Sequence, residues 1–76
     1  MNPYQALANA IVELAAKDYR TALKYHYKHP ENAEYKANVA ELEEFFLSGW
    51  FELLTDLDGR TLMINLRRMV KAEVGV

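Results

Sequence analysis

From Pro3 to about His26 apolar side chains return every three or four residues, and no stretch of the chain alternates as a half-buried strand would. That period fits an α-helix and confines the chain to an all-α fold. Asn2 is a candidate N-cap, and Pro3 suits a first helical turn, where its missing N–H costs nothing. At about 100° per residue, Tyr4, Leu7, Ile11, Leu14, Ala15, Ala22 and Tyr25 share one face, and Glu13, Lys17, Arg20, Lys24 and Lys28 the opposite one. His29-Pro30 stops this helix, because proline disfavours helical geometry in the residue before it.

A second helix starts between Glu31 and Ala33, with a stripe of Tyr35, Val39, Leu42 and Phe46. Ser48-Gly49 breaks it, and Ser48 can cap a short helix through Leu54. The alternative is one bent helix whose stripe continues through Trp50, Leu53 and Leu57; Trp50, on the continuation of the stripe, is expected to be mainly a core residue. Thr55 and Asp58 resemble a capping box, or Asp58 is itself the cap. The last helix runs to about Lys71–Glu73 on a face of Leu62, Met63, Leu66, Met69 and Val70, and Gly75 ends it. The expected fold is a single helical domain over residues 1–76, a small three- to four-helix bundle. It consists of a helical hairpin closed by a short helix and a C-terminal helix.

Composition removes several function classes. The 76 residues include no cysteine, which excludes disulfides, thiolate zinc sites and cysteine nucleophiles. A reducing compartment suits such a chain, and neither a signal peptide nor an apolar run long enough to span a bilayer stands out. The expected location is therefore cytoplasmic, with no membrane partner. A domain this short buries only roughly 60% of the surface its unfolded form exposes, so it is marginal unless well packed or oligomeric. The net charge of −2 hides a basic–acidic–basic order. Lys17 to Lys28 is basic, Glu41 to Asp58 holds six acids and no Lys or Arg, and Arg60 to Glu73 is basic again. Folding can bring these segments together as intramolecular pairs.

Motifs for chemistry fail on inspection. Asp56-Leu57-Asp58-Gly59 suggests a calcium loop, but aligning Gly59 at the sixth position leaves Leu54 first and Asn65 twelfth, without the two essential carboxylates. His26 and His29 are three apart, yet no further His or Cys exists to complete a zinc site. Beside a helix end, both suit the dipole instead. Ser48 lacks a G-x-S-x-G setting, no glycine-rich phosphate loop exists, and the adjacent Glu43 and Glu44 point in different directions. Neither an enzyme nor a cofactor is expected.

Two candidate surfaces lie on the first helix. Ala8, Val12, Ala15, Tyr19 and Leu23 form the far edge of an apolar arc that spans about half the helix circumference, wider than one core stripe needs. Alanines 8, 15 and 22 offer a close seam there, so this edge is the candidate self-association face of a homodimer. Lys17, Arg20, Lys24 and Lys28 are candidate polyanion contacts, the basis of a rival reading as a nucleic-acid-binding regulatory protein. Asp18 lies within the apolar arc, where a carboxylate would be buried and would need a cation or several donors, with Arg67, Arg68, a tyrosine hydroxyl or the Trp50 indole N–H as candidate partners.

The run Glu44-Phe45-Phe46-Leu47-Ser48-Gly49-Trp50-Phe51-Glu52-Leu53-Leu54-Thr55-Asp56-Leu57-Asp58-Gly59, followed by Leu62, Leu66 and Arg67, reads F-F-x-S-x-W-F-x-x-L-T-x-x-D-G. With Ala10-Ile11-Val12 and Asp18-Tyr19-Arg20, it resembles short uncharacterised proteins of phages and mobile elements of Gram-positive bacteria. Gly49 departs from that pattern, which often has a larger residue there. The resemblance carries no activity; it implies an accessory protein that regulates, handles DNA or inhibits a partner. The combined expectation is a non-enzymatic interaction or regulatory module that presents a helical surface.

Overall fold

The computed structural model describes residues 2–75. Four helices follow one another: α1 (Pro3–Lys28), α2 (Ala33–Phe46), α3 (Gly49–Leu54) and α4 (Gly59–Val74). No strand occurs among the described residues. Side chains that would compete with a helix interior sit at its boundaries instead. The Oδ1 atoms of Asn2, Asn32 and Asp58 accept from the backbone N–H of Gln5, Tyr35 and Arg60 at 2.8, 3.0 and 3.1 Å. Ser48 caps α3 through the Phe51 N–H and itself donates to the Phe45 carbonyl at 2.6 Å, which holds the corner between α2 and α3. Gly75 closes α4 in the left-handed conformation, φ 75°, where a side chain would be strained.

The core is one cluster. Val12, Ala15, Tyr19 and Leu23 of α1 meet Val39 and Phe46 of α2, Phe51 of α3, and Met63, Leu66 and Val70 of α4. Tyr19, Phe46 and Phe51 are its largest buried side chains, and successive rings pack edge-on, with centroids 5.3 and 5.5 Å apart. Gly59, at the start of α4, lies so close to α2 that a Cβ there would fall on the Phe46 carbonyl oxygen.

Several expectations need correction. The face Ala8, Val12, Ala15, Tyr19 and Leu23 is not free to self-associate. Val12, Ala15, Tyr19 and Leu23 are the buried seam against which α2 and α4 pack, and Ala8 is half-buried. Small residues at seven-residue intervals do admit a close neighbour, but the neighbour is intramolecular. Conversely Tyr4, Leu7, Ile11, Leu14 and Tyr25, read as core, are exposed. Trp50 is 72% exposed, because the Ser48 cap ends the α2 stripe and re-aims the next helix so that Phe51 enters the core. Met69, also expected inside, is exposed.

Asp18 is on the surface, and no cation pairs with it among the described residues. The reason is rotational. The buried seam is centred about 100° around α1 from the stripe that holds Ile11, Leu14, Asp18 and Tyr25. The sequence arc is wide enough for either edge to face inward, and the structure uses the edge without the carboxylate.

Candidate functional site

Lengths decide what remains uncovered. With a rise of 1.5 Å per residue, α1 is about 39 Å long and α2 about 21 Å. The molecule measures 42 × 22 × 17 Å, so α1 alone spans its long axis. The Tyr25 and Tyr35 rings lie 5.5 Å apart and the Tyr19 and Phe46 rings 5.3 Å apart, which places α2 along the C-terminal half of α1. The N-terminal half projects beyond α2 and is met by α3 and the segment after it, where Gln5 shares a shallow hollow with residues 52–57.

At this projecting end the surface is apolar. Tyr4, Leu7, Ile11 and Leu14 are exposed along α1, and Leu47, Trp50, Leu53 and Leu57 are exposed on and beside α3. Tyr4 and Leu53 are 84% and 81% accessible. Apart from Tyr25, Ile64 and Met69, the exposed large apolar side chains of the described residues belong either to the N-terminal half of α1 or to the segment from Leu47 to Leu57. Glu13 is the sole charged residue between Pro3 and Ala16. This concentration, on the nearly uncharged N-terminal half of α1, is the candidate interaction surface.

The basic candidates lie elsewhere on α1. Lys17, Arg20 and Lys24 line a shallow groove with Glu73, and Lys28 is exposed at the helix end. The four do not act as one free stripe, because Arg20 donates to Glu73 Oε1 at 3.3 Å. Arg67–Glu43 pairs the last basic segment with the acidic one, whereas Arg20–Glu73 joins the two basic segments to each other.

Where α1, α2 and α4 meet, the structure holds a polar network. The Tyr19 hydroxyl donates to Glu43 Oε2 at 2.7 Å and accepts from Arg67 Nε at 3.0 Å, while Arg67 also donates to the same carboxylate oxygen at 2.7 Å. Burial, and then the adjacent Glu43 carboxylate, push the Tyr19 phenol well above its ordinary range. The bond to Glu43 is the largest cause of the raised pKa of the Arg67 guanidinium, followed by the bond to Tyr19. Tyr27 is raised as well, chiefly by burial. These groups satisfy one another, so the network is a clasp tying three helices together. Arg67 is one of the candidate partners that the sequence offers Asp18; in the structure it holds the next residue, Tyr19, instead. A tyrosine on the alanine seam was the available signal, since a buried phenol needs a polar partner.

Neither histidine hydrogen-bonds to the clasp among the described residues, although His26 lines a shallow hollow with Glu43 and Arg67. His29 Nδ1 lies 3.8 Å from Glu31 at the α1–α2 turn, and its ring faces Tyr35. His26 is half-buried, with Nδ1 turned inward beside Tyr27. No helix of the described residues is long and apolar enough to cross a membrane.

No protein-family model, curated protein or solved structure matches this chain.

Proposed function

We propose that the chain is a non-enzymatic protein-interaction module, acting in the cytoplasm as an accessory factor of phage or mobile-element type. One observation carries this reading: exposed large apolar residues cluster at the projecting end of α1 and on α3. Contiguous exposed apolar surface on a small domain marks a place where another surface docks. Trp50 and Tyr4 are of the type that anchors interfaces, being large and rigid with a polar edge. The internally satisfied Tyr19–Glu43–Arg67 clasp favours a structural over a catalytic role for the most perturbed ionisable groups.

The alternative is a nucleic-acid-binding regulator. Lys17 and Lys24, which flank the same groove, favour it, whereas the Arg20–Glu73 pair and the net charge of −2 weigh against it. Affinity capture from a cell extract separates the two, with a nuclease-treated arm and the variants Leu7→Glu and Lys17→Glu/Lys24→Glu. A protein partner held through high salt, kept after nuclease and lost with Leu7→Glu supports the interaction module. Retention of nuclease-sensitive material that falls steeply with salt and vanishes in the lysine variant overturns it, because phosphate contacts release counterions.

A further inference from the structure

We propose that the partner of the projecting α1 face is a second copy of this chain, docked antiparallel across a twofold axis between Leu7 and Ile11. This rests on the interaction-module reading and names its occupant. Tyr4, Leu7, Ile11 and Leu14 recur at intervals of three, four and three, a single stripe about 15 Å long on one face of a straight helix. In an antiparallel pair centred on that stripe, Tyr4 meets Leu14 of the other copy and Leu7 meets Ile11, so the patch is complementary to itself as a twofold interface demands.

Area supports a contact of this size. A compact monomer of 8.8 kDa exposes about 4,800 Å². This chain exposes 5541 Å², an excess of roughly 750 Å². A standard specific interface covers about 800 Å² on each partner. The excess, taken over the whole molecule, is the size of one half-interface, and the overhang of α1 beyond α2 makes the molecule long.

Charge then selects the partner and its direction. Pro3 to Ala16 carries only Glu13, so two copies meet there without like-charge repulsion and without a feature that a strongly charged foreign partner would read. A parallel pair would set the two Lys17–Lys28 ridges side by side. The antiparallel arrangement sends them to opposite ends of the dimer. It also carries Asp18, exposed on the same stripe, towards the N-terminal end of the other α1, whose dipole favours an anion.

Two measurements on the full chain test the proposal. Light scattering during gel filtration, at tens of micromolar, is expected to give a mass twice 8.8 kDa for the parent. Leu7→Glu and Ile11→Glu should each give 8.8 kDa with unchanged helical circular dichroism, since both side chains are exposed in the single chain. A folded parent of 8.8 kDa overturns the second-copy proposal. The capture experiment tests the broader reading separately. A dimer surviving both variants shows that the face is wrong. Direction is read by crosslinking, because the chain has no native cysteine. A mixture of Leu7→Cys and Ile11→Cys chains should form the mixed disulfide in preference to either like pair. Preferential Leu7→Cys self-pairing would mean a parallel dimer and overturn the arrangement.

Discussion

Replacing Tyr19 by Phe removes one oxygen from the clasp and leaves the packing in place. The ring stays edge-on to Phe46, so no cavity opens. Two charge-assisted hydrogen bonds disappear, one to Glu43 and one from Arg67. Bonds to charged groups contribute about 1.5–3 kcal/mol each when their loss strands the partner. Here Glu43 and Arg67 keep their own 2.7 Å contact, and their side chains are 27% and 36% accessible, so water replaces part of what is lost. The expected cost is about 1–2 kcal/mol, a fall in Tm of roughly 4–16 °C for a domain of this size. Alkaline pH supplies the sign. The folded state holds the phenol un-ionised, so its contribution is present in full below the unfolded value of about 10 and is lost as pH rises from there towards the raised folded value. The stability gap between parent and Tyr19→Phe should therefore be constant at neutral pH and close above about pH 10. Thermal melts at neutral pH and chemical denaturation across the alkaline range measure both effects. Equal stability of the two proteins at pH 7, or a gap that widens in alkali, would refute the clasp.

The remaining predictions concern sites where sequence and structure part company. Gly59→Ala should destabilise the fold by about 1–3 kcal/mol, because the new methyl collides with the Phe46 carbonyl. Gly49→Ala, in open space at the first turn of α3, should instead raise stability by about 0.4–1 kcal/mol, and denaturant midpoints compare the two. Phe51→Ala should cost about 3–5 kcal/mol, whereas Trp50→Ala changes stability by less than about 0.5 kcal/mol. In dilute protein, Trp50 emission should be red-shifted and readily quenched; a blue, shielded spectrum there would contradict its placement. Asp18→Asn should leave Tm within the range of ordinary surface changes, and a large loss would mean that the carboxylate is buried after all.

Element boundaries were legible because local chemistry sets them. Asn2, Ser48, Asp58 and Gly75 end or begin helices by hydrogen bonds that need no distant partner, and Pro30 acts through its own ring. The α2 stripe was legible for the same reason, with Val39 and Phe46 buried as its spacing implies. The rotation of α1 was not. Its apolar arc is wide enough to satisfy two opposite assignments, and only the positions of α2 and α4 choose between them. The Ala8–Leu23 edge and the Tyr4–Leu14 edge therefore exchanged roles, and the residue thought to need Arg67 moved from Asp18 to Tyr19. The exposed end depends on a further nonlocal quantity, the difference in length between α1 and α2, which becomes a surface only when the helices are laid side by side.

Amide hydrogen exchange along α1, followed over a wide dilution series, tests the central claim most directly. In the isolated chain the residues from Tyr4 to Leu14 lack cover on one face, while Ala15 to Tyr27 are sandwiched by α2 and α4. Protection of the N-terminal half should rise with protein concentration, or on addition of a captured partner, with the C-terminal half unchanged. N-terminal exchange that stays the same at every concentration and with every partner bound would contradict the claim that this apolar end is the working surface.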